Sequence, residues 1–215
     1  MNEKPWRNKC MHDYSIERHP KEKILFSLAM LSILCAPVLK SFADQLLSYL
    51  EVGKWWGSAP AIAVPVFSLF IGFYSLFNHF FWRIKFFRKL LVVPDLNGTW
   101  QCKGHTVLKN SEPADIDWKA EIVITQTWSR ILIYLKSSQS ESKSISASIS
   151  HEKGIGYRLL YQYNNKPKAD EMELKDHTGA IELLFSEDIL SAHGSYFTDK
   201  NRTTVGNMSL TREKR

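Results

Sequence analysis

The groups in this chain with most to offer chemically are a set of aromatic side chains and three arginines in its C-terminal half. Trp118, Trp128, Tyr134, Tyr157, Tyr161, Tyr163, Tyr196 and Phe197 supply flat faces, and Arg130, Arg158 and Arg202 supply charge. Aromatic faces stack on planar groups, and guanidinium forks hold anions. On an extended strand, parity decides which of them act together, because successive side chains point to opposite faces. Arg130 and Tyr134 share a face, opposite to Ile131 and Ile133, and make the best single pair. Arg158 is out of register with Tyr157 and Tyr161, so it points away if the tyrosines point inward. The same alternation also fills an ordinary core, and both readings stay open. Trp100 reads as a structural plug, and Arg202 either covers that indole or touches a ligand.

Catalytic patterns are missing. The sequence holds no P-loop, no Gly-x-Ser-x-Gly elbow and no zinc signature. Its histidines, at 12, 19, 79, 105, 151, 177 and 193, show no ligand spacing, and Cys10, Cys35 and Cys102 are scattered and odd in number. Nothing calls for a metal or an organic cofactor, and the chain does not read as an enzyme.

The elements that must position these groups are strands. After Pro94, period-two patterning broken by turn chemistry predicts eight of them: Leu96–Gly104, Ile116–Trp128, Arg130–Lys136, Ser142–His151, Ile155–Asn164, Gly179–Ser186, Ile189–Thr198 and Thr203–Arg212. Asn110-Ser111-Glu112-Pro113, Lys153-Gly154, Asn164-Asn165-Lys166-Pro167 and Asp199-Lys200-Asn201 read as turns or loops. Ile145, Ala147 and Ile149 alternate with Ser144, Ser146, Ser148 and Ser150; the Ser-rich stretch Ser137–Ser150 could offer hydroxyls to a ligand but reads rather as an exposed polar face. Short connections imply antiparallel neighbours, and eight such strands can close into a barrel without edges. A barrel of that size is either packed with side chains or holds one small ligand.

The N-terminal part has a different solvent. From Ser58 to Trp82 no residue is charged, and Arg83, Lys85, Arg88 and Lys89 follow. At about 1.5 Å per residue, such a run is long enough to cross the roughly 30 Å hydrocarbon core of a membrane. Ile24–Ala43 forms a second candidate span, with Lys40 snorkelling. The expected organisation is a segment 1–23, spans 24–43 and 58–82 joined by a loop 44–57, a basic linker 83–94 and a barrel 95–215.

The net charge of +6 does not indicate a polynucleotide partner. Residues 95–215 hold sixteen basic and sixteen acidic side chains, so the surplus lies in residues 1–23 and 83–94, flanking the spans. Basic residues at both outer ends and a neutral loop between predict that both termini are cytoplasmic.

Leu96-Asn97-Gly98-Thr99-Trp100 opens the first strand with a Gly-x-Trp pattern similar to the start of lipocalin-like barrels. With two N-terminal spans, a basic collar and about 120 strand-rich residues, the chain resembles the SMODS-associating two-transmembrane, beta-strand-rich effectors of bacterial CBASS anti-phage signalling. The resemblance implies that the barrel binds a cyclic dinucleotide, that the protein self-associates, and that the spans damage the bacterial inner membrane. Such a ligand is a compact dianion with two flat bases. Trp118, Trp128, Tyr134, Tyr157, Tyr161 and Tyr196 are then the candidate stacking residues, with Arg130 and Arg202 for phosphates. Gly72, with Ser68 and Ser75 on the second span, is the candidate helix contact, either between copies or only in packing the second span on the first. Two alternatives keep the same architecture: a tethered carrier of an apolar molecule, and a side-chain-filled interaction module.

Overall fold

The computed structural model describes residues 11–17, 20–49, 60–109, 112–168, 176–199 and 203–213. The chain divides into two compact units, one of residues 19–91 and one that joins residues 1–18 to residues 92–215.

The first unit is helical. Helix α1 is Lys21–Tyr49, α2 is Pro60–His79, and α3 is Lys85–Leu91 after a 3₁₀ turn at Phe81–Arg83. α1 and α2 pack together, and α1 runs six residues into the segment expected to be a loop. Pro37 lies inside α1. Exposed Phe26, Ile33, Leu34, Val38 and Phe42 on α1, and Phe67 and Ile71 on α2, give the pair an apolar outer surface suited to lipid. Lys21–Phe42 is long and apolar enough to cross a membrane. The uncharged run is not one helix, since it breaks after His79 and ends with Trp82 in the 3₁₀ turn. Trp55 and Trp56 of the expected loop lie outside the described residues.

The second unit is a closed antiparallel barrel. Its strands are β3 (Gly98–Lys109), β4 (Glu112–Gln126), β5 (Arg130–Ser137), β6 (Ser140–Glu152), β7 (Gly156–Pro167), β8 (His177–Phe185), β9 (Ser191–Thr198) and β10 (Val205–Arg212). They run in the order β5-β4-β3-β10-β9-β8-β7-β6, and a β5–β6 pairing closes the ring. All eight expected strands are present, with β3 and β4 reaching further at the β3–β4 end than the patterning indicates. Asn164-Asn165-Lys166-Pro167, expected as a turn, is instead the end of β7.

The seam at β5–β6 is short. Only Tyr134↔Lys143, Leu135↔Ser142 and Lys136↔Glu141 face each other. Beyond them the N-terminal segment enters the sheet, with β1 (His12–Asp13) antiparallel to β5 and β2 (Ser15–Ile16) parallel to β6. Residues expected to stand apart from the barrel therefore complete it. Four paired residues are too few to leave a periodic signal. The Ser144 hydroxyl accepts the Ile133 N–H at 3.0 Å and shares a 2.7 Å hydrogen bond with His12 Nε2. A bulge between Ser144 and Ser146 flips the strand's faces, so Ser142 and Ser144 point inward and Ile145 is exposed.

One end of the barrel is filled. Trp100 is fully buried, donates from Nε1 to Leu96 O at 3.1 Å, and meets Phe185 edge-on at 5.0 Å. Arg212 lies 5.3 Å above the indole and donates to the backbone oxygens of Asp95, Asn97 and Ile189. It faces Trp100 directly in the β10–β3 register. The cover over Trp100 is therefore Arg212; Arg202 lies outside the described residues. Around this plug, Asn97 exchanges two hydrogen bonds with the Gln126 backbone at 2.7 and 3.0 Å. The Gln126 side chain accepts from Leu96 N and donates to the Tyr14 hydroxyl, so the N-terminal strap is tied to the same cluster.

Replacing Arg212 with Ala removes a cation–π contact and charge-assisted hydrogen bonds to three carbonyls. We expect a loss of about 2–3 kcal/mol of barrel stability. Denaturant unfolding of the purified protein measures it, and an unchanged midpoint would refute the role assigned to Arg212.

Candidate functional site

The opposite end of the barrel is hollow. A cavity of about 360 Å³ opens there, lined from β3 by Thr106, from β4 by Trp118, from β5 and β6 by Leu135, Ser137, Ser140 and Ser142, from β7 by Tyr163 and Asn165, from β8 by His177 and Ile181, from β9 and β10 by Tyr196, Thr198 and Met208, and from the connection before β10 by Thr204. Lys109 and Lys119 also line it and are exposed. Among the described residues no carboxylate and no arginine lines the cavity. Its walls are hydroxyls, amide, imidazole and aromatic rings, a composition suited to a small ligand with flat apolar parts and several polar edges.

Three glycines explain why this end is not filled by its own aromatics. Trp118 faces Gly104, Tyr163 faces Gly179, and Tyr196 faces Gly206 across adjacent strands. In each pair the ring occupies the space that a Cβ on the glycine would need; for Gly104 the nearest indole atom would be 2.0 Å away. The rings therefore lie over the facing backbone. Hydrogen bonds fix two of them: the Tyr196 hydroxyl meets Thr106 Oγ1 at 2.6 Å and accepts Trp118 Nε1–H at 3.2 Å. The two rings meet edge-on at 5.6 Å. Rigid rings held in this way are ready-made stacking platforms.

Below the cavity the interior is packed. Tyr161 is buried there, its hydroxyl has no hydrogen-bond partner among the described residues, and burial raises its pKa well above the usual range, with Cys102 and Tyr163 adding to the effect. Burial also pushes the Cys102 thiol up to about 12, so it is a packing group rather than a nucleophile.

The expected site residues separate cleanly. Trp118 and Tyr196 line the cavity, with Tyr163. Tyr161 is core, and Tyr157 packs at 4.6 Å on His151 near the β6–β7 turn. Trp128 is buried at the β4–β5 turn, at the plugged end. Arg130 and Tyr134 do share a face, but it is the outer one: Arg130 bridges to Asp13 at 3.3 Å, while Ile131, Ile133 and Leu135 take the inside. The pair does not reach the cavity, because buried isoleucines outrank an arginine for the interior of a strand. Arg158 points outward to Glu152 and Glu182, and Phe197 is exposed on the outer wall. Arg202 falls outside the described residues, between the cavity-lining Thr198 and Thr204.

Asn165 and His177 line the cavity without any pattern that singles them out, and the serines of the β5–β6 turn, read as an exposed polar face, line it too. Asn165 was hidden by its turn-like neighbours, and Ser142 by the bulge that follows it.

Residues 91–212 match the family model described as "Cap15, cyclic dinucleotide receptor domain", and residues 22–83 match "Cap15, TM helices". The chain belongs to the Cap15 family. It is 42% identical over 157 residues to CD-NTase-associated protein 15 of Yersinia aleksiciae, covering 70% of this chain and 74% of that protein. It is 30% identical over 145 residues to CD-NTase-associated protein 15 of Staphylococcus schleiferi, covering 64% and 71%. The Cap15 family is a CBASS effector family, in which a membrane-helix region precedes a receptor barrel. The domain is described as a receptor and not as a catalyst.

Gly104→Ala forces the Trp118 ring out of its seat, and only side-chain atoms stand in the way. The indole then moves into the cavity. We expect at least a tenfold loss of cyclic-dinucleotide affinity, measured by titration calorimetry. Retained affinity would show that the ring's seat does not shape the site.

Proposed function

We propose that the hollow end of the barrel is where the cyclic dinucleotide binds, and that binding drives self-association of the membrane helices and disruption of the bacterial inner membrane. The observation that carries this reading is the set of three flat rings, Trp118, Tyr163 and Tyr196, around a cavity that contains no acidic lining residue among those described. Two bases stack on the rings, and Lys109 and Lys119 offset the phosphate charge at the mouth. This assignment replaces the Arg130–Tyr134 pair as the centre of the site. It keeps Trp118 and Tyr196 as ligand contacts and leaves Trp128, Tyr157 and Tyr161 to the core.

In this reading α1 and α2 both cross the membrane, and the termini and the barrel are cytoplasmic. The charge distribution supports that orientation, since the basic surplus flanks the two spans. Two helices per chain cannot enclose a water-filled pore, so the lesion requires several copies. Gly72 is the proposed contact between copies. A Cβ built there meets nothing within 4 Å among the described residues, which supports a face with room for a helix of a neighbouring copy. Small residues let helices of neighbouring copies approach closely.

A thermal-shift screen of the full-length protein in detergent, across cyclic di- and trinucleotides, tests the ligand. At least one cyclic dinucleotide should raise the melting temperature, by mass action on the native state. A flat response over the whole panel from a folded protein would sink the assignment. For the helices, Gly72→Leu should abolish killing on activation while leaving the thermal shift intact. Undiminished killing by that variant would refute the contact.

A further inference from the structure

The hollow end carries one row of polar side chains that its stacking rings do not account for. Ser142 on β6, Asn165 on β7 and His177 on β8 face one another in register, all pointing inward and all more than nine-tenths buried. Each lines the cavity. The middle member is anomalous. Asn165 is 5% exposed, and its side-chain nitrogen has no hydrogen-bond partner among the described residues. A buried amide donor left without an acceptor is costly, and native structures keep few of them. One that is held in a cavity wall points to an acceptor supplied from outside the chain.

The surroundings decide what kind of acceptor. Asn165 is two residues from Tyr163, on the same face of β7, so it stands about 7 Å further along the strand. A planar base seated against the Tyr163 ring presents its edge there. The Tyr163 ring is itself held in place, lying over Gly179 and meeting His177 edge-on at 6.2 Å. A neutral amide is a poor sole partner for a buried phosphate, which calls for cations. The cavity's lysines, Lys109 and Lys119, are exposed rather than set in this buried row. An asparagine amide, with one donor and one acceptor side by side, is suited to a base edge.

We propose that Asn165 is the specificity-determining residue of the site, donating from Nδ2 to a carbonyl oxygen or ring nitrogen on one base, flanked by Ser142 and His177. The assignment rests on the cavity being the cyclic-dinucleotide site. It makes base identity, rather than phosphate charge, the quantity that Asn165 measures.

The test compares ligands that share the cyclic phosphate ring and differ only in their bases: cyclic di-AMP, cyclic di-GMP, cyclic di-UMP and cyclic GMP–AMP. Affinities are measured on the full-length protein in detergent for the parent, for Asn165→Leu and Asn165→Asp, and for Lys109→Gln as a phosphate control. Both Asn165 variants should weaken the preferred ligand by about tenfold or more and narrow the spread of affinities across the panel. Lys109→Gln should weaken all four ligands by a similar factor and preserve their ranking. Asn165→Leu should also melt no lower than the parent without ligand, since it removes an unsatisfied buried group. Equal weakening of every ligand by both Asn165 variants, or no weakening, would overturn the assignment. If the parent binds none of the four, the receptor reading of the cavity falls, and the assignment falls with it.

Discussion

The barrel depends on satisfying the backbone along one seam. Closing a sheet on itself removes its edges, but only if the first and last strands in the ring reach each other over their whole length. β5 and β6 do so over three register pairs. Past that point the two strands part, and the chain meets the deficit by two means. Ser144 turns its hydroxyl inward to take the Ile133 N–H, and residues 12–16 enter the gap as a two-sided strap. The strap ends at Glu17, whose N–H reaches Ile149 O, and α1 begins four residues later. The seam is thus completed by the stretch of chain that leads into α1.

The seam also touches the cavity. Leu135 and Ser142, one of its three pairs, are both lining residues. Anything that alters their separation acts on the strand pairs that close the ring and, two residues along β6, on the serine that holds His12. At the plugged end Trp100, Phe185 and Arg212 form a cluster of their own, and none of the three lines the cavity.

The two ends of the barrel use aromatic residues in opposite ways. At the plugged end, Trp100 and Phe185 point into the lumen and fill it. At the hollow end, three aromatics of similar size leave a cavity because each faces a glycine and lies over its backbone. What distinguishes a plug from a cavity wall is the residue across the ladder, not the aromatic itself. Parity captures the first level of this, since it sets Tyr157 and Tyr161 on one face of β7 and Arg158 on the other. It does not reach the second, which needs the register between strands distant in sequence, such as β9 with β10 or β3 with β4.

Much of the architecture was legible from local pattern alone. Strand number, closure, the apolar N-terminal region and the neutrality of the barrel follow from alternation, turn chemistry and charge placement, all of them properties of neighbours in sequence. The opposed faces of Arg158 and the tyrosines of β7 follow as well, because a strand's period is fixed. The site was not legible in the same way. Arg130 and Tyr134 shared a face, yet which face is inside is settled by what Ile131, Ile133 and Leu135 bury against. Asn165 looked like a turn residue, and its place in β7 is set by pairing with Ser142 and His177. Ser144 changed sides through a bulge, and Arg212 met Trp100 only because the last strand pairs with the first strand of the barrel. The sequence by itself determined the elements and their polarity, since those arise from contacts a few residues apart. The tertiary structure alone decided the cavity, because its walls are pairs of residues brought together by strand register and closure.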